Sequence, residues 1–67
     1  MTTLADELLK EMDRVREALG HYKEIGAPGM FGAMMIEQSL RTADKAVMSG
    51  DVVAMIAALK DLQEIEG

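Results

Sequence analysis

Several residue types that build functional sites are missing or scarce in this sequence. There is no cysteine, so disulfides and thiolate metal sites are excluded. The single histidine, His21, cannot by itself assemble a zinc site of the usual kind. Because Tyr22 and Phe31 are the only aromatic residues, the core has to be built from aliphatic side chains and methionine. We therefore expect neither a bound metal nor a cofactor.

The sequence also lacks an arrangement of groups that could carry out catalysis. Serine and threonine hydroxyls act as nucleophiles only beside an oriented base, and His21 stands in no such pattern. The acidic residues near the N-terminus, among them Asp6 and Asp13, form no EF-hand-like loop. A solvated helix face explains these acids better than a cation site does. We therefore predict that the protein is not an enzyme.

Positive charge is in short supply as well. Seven basic residues stand against twelve acidic ones, which gives a net charge of −5. Nucleic acids and anionic membranes attract basic patches, and beyond Lys60 every charged residue is acidic. No signal peptide is recognisable, and no apolar run approaches the roughly 20 residues that span a bilayer. These features predict a cytoplasmic protein that binds neither nucleic acid nor membrane.

What the sequence has in abundance is helix-forming residues with a heptad-like spacing. Thr3 and Asp6 match a capping box, which predicts a first helix over residues 4–25, and Gly26 suits its end. Charged residues, among them Arg14, are expected on its solvent side. An apolar stripe with spacings of three and four residues consists of Ala5, Leu8, Met12, Val15, Leu19 and Tyr22.

A second helix follows a predicted break. Pro28 disfavours helical angles at Ala27, so we expect a break over 26–29 and a helix over about 30–48. Its apolar positions recur with spacings of three and four residues, as in an amphipathic helix.

A third helix is predicted after the turn at 49–51. Gly50 suits the position after a helix, and Asp51 suits the N-cap of a helix over about 52–65. Because the turn is short, the second and third helices should form an antiparallel hairpin on which the first helix packs. The predicted fold is all-α, with three helices in one small domain over residues 1–67.

The amount of apolar surface predicts self-association. A chain this short buries only about 60% of the surface that its unfolded form exposes, yet apolar residues make up 49% of it. Without disulfides or metals, oligomerisation is the remaining common support, and two-fold dimers are the commonest oligomers. We predict a homodimer or a higher oligomer. Its candidate interaction residues are Leu8, Met12, Val15, Leu19, Tyr22, Met30, Phe31, Met34 and Met35.

The methionines around Phe31 favour an interaction function. The third helix should be too short to reach them, and unbranched, polarizable methionine side chains adapt to varied partners. A methionine stripe can equally be ordinary core. We favour a non-enzymatic protein–protein interaction module, such as a small adaptor, regulator or inhibitor that a phage or mobile element could encode.

The glycine spacing keeps a second function open. Gly26, Gly29 and Gly32 precede or begin a helix, where exposed N–H groups could hold a nucleotide or another small anion, with Lys23 and Arg41 adding charge. We favour the competing explanation, which is a tight turn with close helix packing. The glycines follow a helix and not a strand, so neither the dinucleotide fingerprint nor the P-loop matches. A third alternative is a structural subunit of a larger assembly.

Self-association can be measured directly. Light scattering on a size-exclusion column should give at least twice the chain mass of 7.3 kDa. A clean monomer at micromolar concentration would contradict the prediction that the chain forms an oligomer.

Overall fold

The structure of the protein, a computed structural model, describes residues 3–65 and is almost entirely helical. Helix α1 spans Leu4–Ile25, α2 spans Ala27–Ser49 and α3 spans Val52–Gln63. The described residues contain no strand, and each helix packs against the other two. The resulting body measures 38 × 20 × 17 Å. The predicted all-α class with three helices is confirmed.

Helix α1 begins and ends where its local sequence signals lie. The Thr3 hydroxyl accepts a hydrogen bond from the Asp6 N–H at 3.1 Å, and the Asp6 carboxylate accepts one from the Thr3 N–H at 3.4 Å. At the other end, Gly26 has a φ of 90°, a conformation that residues with a side chain rarely adopt. The bounds of α1 therefore coincide with the expected range.

Helix α2 begins earlier than expected. The break expected over 26–29 is reduced to Gly26, and Pro28 lies in the first turn of α2. The first N–H groups of a helix have no partner within it, so the missing N–H of proline costs little there, and its fixed φ suits a helix. The preference of Ala27 against helical angles is weak and is overridden. The second helix therefore starts at Ala27 and not at residue 30.

The connection from α2 to α3 is built from Gly50 and Asp51. Gly50 adopts a left-handed conformation with a φ of 68°. The Asp51 carboxylate accepts hydrogen bonds from the N–H groups of Val53 and Ala54, at 3.0 and 3.3 Å, and so caps α3. Helix α3 ends at Gln63, short of the expected end at residue 65.

The core runs between the apolar sides of all three helices. It brings the α1 stripe against small and branched residues of α2 and α3, and no polar or charged side chain among residues 3–65 is buried. The buried members are Leu8, Met12, Val15, Ile36, Ala43, Ala46, Met55, Ala58 and Leu62.

A long-range polar contact stabilises the end of α3. The Arg14 guanidinium donates hydrogen bonds to the carbonyl oxygens of Leu62 and Ile65, both at 3.0 Å, and it also pairs with Glu11. Carbonyl groups at a helix C-terminus lack partners within the helix, and a cation there also favours the helix dipole. The expectation that Arg14 is simply a solvent-facing charge is therefore wrong.

We predict that Arg14→Met destabilises the fold more than Arg16→Met does. Removing the two charge-assisted bonds to α3 should lower the free energy of unfolding by about 1–2 kcal/mol, because the site is partly exposed. Among residues 3–65, Arg16 pairs with the exposed Asp13 alone, so its loss should cost less than about 0.5 kcal/mol. Urea denaturation measures both variants, and equal effects would show that the bonds from Arg14 to Leu62 and Ile65 contribute no more than an exposed ion pair.

Candidate interaction surface

Four large apolar side chains at the start of α2 point into solvent. The exposed fractions are 49% for Met30, 76% for Phe31, 64% for Met34 and 55% for Met35. We refer to these four residues as the α2 surface. With about 200 Å² per large side chain, they expose on the order of 500 Å². The largest apolar patch on a typical monomer is about 300–600 Å² and is often functional.

Helical geometry explains why these residues face outward. The buried positions at the start of α2 are Gly29, Ala33 and Ile36, which share one face of the helix and pack toward α1. Two of these three are very small, so α1 can approach closely and the large side chains are left on the other sides. The four α2 surface residues are therefore outside the core because of their position in the helical repeat.

Helix α3 does not reach this region. It has 12 residues against 23 in α2, which corresponds to about 18 Å against about 35 Å. The ends of α1 and α2 that meet at Gly26 therefore pack on each other without a third helix. Beyond the end of α3 lies an open groove lined by Tyr22, Gly32, Met35, Ile36, Glu64 and Ile65.

The outer side of α2 changes from apolar to cationic along the helix. An open groove of about 540 Å³ runs along it. Its lining starts with Phe31, Met34 and Met35, continues with Glu37, Gln38 and Thr42, and includes Arg41 and Lys45. Among residues 3–65, neither Arg41 nor Lys45 forms an ion pair. An apolar half and a positively charged half thus lie next to each other on an acidic protein.

The structure divides the predicted interaction residues into three groups. Leu8, Met12 and Val15 are 0% exposed, so assigning them to an interaction surface is wrong for the single chain. They face both α2 and α3, which together cover the α1 stripe. Leu19 and Tyr22 are partly buried and pack against the same core. The four remaining predicted residues are those of the α2 surface.

The structure does not turn the glycine segment into an anion cradle. Gly29 and Gly32 lie within α2 and face Tyr22 of α1. The Gly29 N–H is already bonded to the Gly26 carbonyl oxygen at 2.9 Å, and Pro28 has no N–H to donate. The start of α2 therefore presents few free donors, and the glycines serve close helix packing.

The two cations predicted for that site are not brought together either. Lys23 pairs with Glu37 at 3.1 Å. Arg41 follows Gly32 by nine residues on α2, which places it about 14 Å further along the helix. The predicted anion site is therefore not assembled by the described residues.

The described part of the chain offers no metal site either. No cluster of three or more potential metal-binding side chains occurs between residues 3 and 65. Over the same range, none of the helices combines the length and the apolar character needed to cross a membrane. The arrangement that stands out chemically is therefore exposed apolar surface.

A second exposed apolar region was not predicted. Met48 is 86% exposed, and Val52, Val53 and Ile56 are 56%, 76% and 43% exposed. We refer to these four residues, of which Met48 lies near the end of α2 and the other three lie in α3, as the α3 surface. The sequence does contain a signal for it, because nine of the twelve residues of α3 are apolar and therefore lie on all sides of the helix.

We predict opposite effects for Gly29→Ala and Gly20→Ala, which each add one methyl group to a helix. At Gly29 the new Cβ would clash with the backbone carbonyl oxygen of Tyr22, which should lower the free energy of unfolding by about 1–3 kcal/mol. At Gly20 nothing lies within 4 Å, so the higher helix propensity of alanine should raise it by about 0.5–1 kcal/mol. Guanidinium denaturation measures both, and a stable Gly29→Ala would contradict the close packing of α1 and α2.

Comparisons of the whole chain with known proteins add no information on function. No family model matches the chain. No curated protein and no solved structure matches it either. Function is therefore inferred from the exposed side chains described above.

Proposed function

We propose that this protein is a non-enzymatic protein–protein interaction module that docks a partner protein on the α2 surface and acts as a homo-oligomer. The observation that supports the proposal is the exposure of Met30, Phe31, Met34 and Met35 on consecutive turns of one helix. The largest apolar patch on a typical monomer has about this size and is often functional.

The energetics of this surface suit reversible binding. At about 25 cal/mol per Å², burying about 500 Å² contributes on the order of 12 kcal/mol before costs. Association costs about 4–15 kcal/mol in lost freedom of motion. The α2 surface alone is therefore too small for very tight binding, and its affinity depends on well-packed anchors. Phe31 is the natural anchor, because it is the largest and most exposed of the four side chains.

The charges beside the α2 surface indicate the chemistry of the partner. Arg41 and Lys45 follow the apolar residues along the same groove. A matching partner segment carries apolar side chains at helical spacing, followed by acidic side chains about two turns further on. Opposite charges at the rim speed up the encounter and fix the direction in which such a segment lies.

Other features of the proposal rest on the sequence. The antiparallel arrangement of α2 and α3 follows from their short connection, and the cytoplasm is the expected compartment. A structural subunit of a larger assembly would use the same surfaces with more copies of the chain. Binding of a small anion is the weaker alternative, because Gly29 and Gly32 pack against Tyr22 and present few donors.

A displayed library of helical peptides tests the docking proposal. Peptides selected on the protein should carry apolar residues spaced by three and four positions, with acids at one end. Met34→Glu should reduce their binding at least about tenfold, because it places a charge in the centre of the apolar contact. Fluorescence anisotropy with a selected, labelled peptide measures the affinity.

The controls separate docking from folding and from net charge. Met34 is 64% exposed, so Met34→Glu should keep its helix content in circular dichroism. Lys45→Glu should weaken binding, whereas Lys10→Glu, the same charge change on exposed α1, should not. If Met34→Glu unfolds the chain, Met34 belongs to the core. If the selected peptides bind Met34→Glu as well as the wild type, the α2 surface is not the docking site.

A further inference from the structure

Helix α3 has more apolar surface than its own chain can cover. Its only polar residues are Lys60, Asp61 and Gln63. A helix that is apolar on all sides is normally buried on all sides. Within this chain only the side with Met55 and Ala58, together with Leu62, is buried. The opposite side is open to solvent and is not covered by residues 3–65.

The exposed side of α3 is self-complementary along its length. The Asp51 carboxylate caps its start by accepting from the N–H groups of Val53 and Ala54. Exposed apolar residues including Val53 and Ile56 follow, and Lys60 comes near its end beside the exposed Asp61. Two such sides placed antiparallel bring apolar residues onto apolar residues at the centre. The same arrangement brings Lys60 of each copy toward the partner subunit's Asp51. A two-fold interface requires this reciprocity, because each contact occurs twice.

The α2 surface has no such symmetry. Its apolar half lies at one end of the groove, and Arg41 and Lys45 lie toward the other. An antiparallel copy paired over the whole groove would set methionines against cations, and a parallel copy would set the cations against each other. A second copy of the chain therefore fits the α3 surface better, and a different protein fits the α2 surface better.

The apolar area exposed around α3 suits a weak dimer. Met48, Val52, Val53 and Ile56 together expose on the order of 450 Å², at about 150–200 Å² per complete side chain. Two copies would bury about 900 Å² from these residues alone, which is below the roughly 1,200 Å² of standard specific interfaces and typical of weak, transient ones. Exposed Ala57 and the stem of Lys60 add to it. Dissociation in the micromolar range is expected for an interface of this size.

We infer that two copies of the chain associate antiparallel through the α3 surface, with Lys60 of each pairing with the partner subunit's Asp51. The inference rests on the proposal that the chain self-associates, and it specifies which residues form the dimer interface. It leaves the α2 surface of each copy free, so that the dimer presents two docking sites.

Sedimentation equilibrium of the full chain tests which surface forms the dimer interface. Ile56→Glu and Val53→Glu should raise the dimer dissociation constant at least about tenfold, since each buries a charge in the apolar centre. Phe31→Glu, the matched change on the α2 surface, should leave it unchanged. Val53 is 76% exposed, so Val53→Glu should remain folded in circular dichroism even if Ile56→Glu does not.

The outcomes distinguish this inference from the wider proposal. If Phe31→Glu dissociates the dimer and Val53→Glu does not, the dimer interface lies on the α2 surface. The inference is then wrong, although the chain still self-associates. If the wild type is monomeric throughout, self-association itself is wrong. In either case peptide binding on the α2 surface is measured separately, so docking is judged on its own result.

A double-mutant cycle tests the reciprocal ion pair. Asp51→Ser removes the charge but keeps a good helix cap, and Lys60→Gln removes the opposite charge. The two positions are nine residues apart on one α3, or about 14 Å, so strong coupling between them has to come from pairing across subunits. Each single change should weaken the dimer about fivefold, and the double change should weaken it no further. Fully additive effects, or no effect of either change, would overturn the pairing.

Discussion

The unequal length of the three helices is the constraint from which the other features follow. Helices α1 and α2 have 22 and 23 residues, whereas α3 has 12. A shared core can extend only as far as the shortest helix does. The half of the molecule around Gly26 is therefore a pair of helices without a third. There the large side chains of α2 are left largely uncovered by residues 3–65, and they form an exposed surface.

Two contacts hold the unequal helices together, one at each end of the region where α3 is missing. Near Gly26, the faces of Gly29 and Gly32 let α2 approach Tyr22 closely, so that two helices pack without a third. Where α3 ends, Arg14 of α1 donates hydrogen bonds to the carbonyl oxygens of Leu62, in α3, and of Ile65, just beyond it. Gly29 and Gly32, considered from the sequence as part of an anion site, thus allow close helix packing. Arg14, expected to be a surface charge, binds the end of α3.

The two exposed apolar regions differ in the partners that they suit. The α2 surface combines flexible methionines and one aromatic ring with cations at one end, which suits a partner of different sequence and opposite charge. The α3 surface consists mostly of β-branched residues, whose side chains are stiff and suit a constant contact. It also has an acid at one end and a base at the other, as a two-fold contact requires. Two surfaces on one small chain would let dimerisation and docking proceed independently.

The sequence by itself determined the helices, and only the tertiary structure decided which of their faces remain exposed. Caps act within a few residues, so Thr3, Gly50 and Asp51 predicted helix ends correctly. The start of α2 predicted from Pro28 was wrong, because the effect of a proline on the preceding residue, Ala27, is a weak local preference. An apolar stripe has the same spacing whether its own chain or a second molecule covers it. The α1 stripe is core because α2 and α3 both lie against it, and only the tertiary structure shows this.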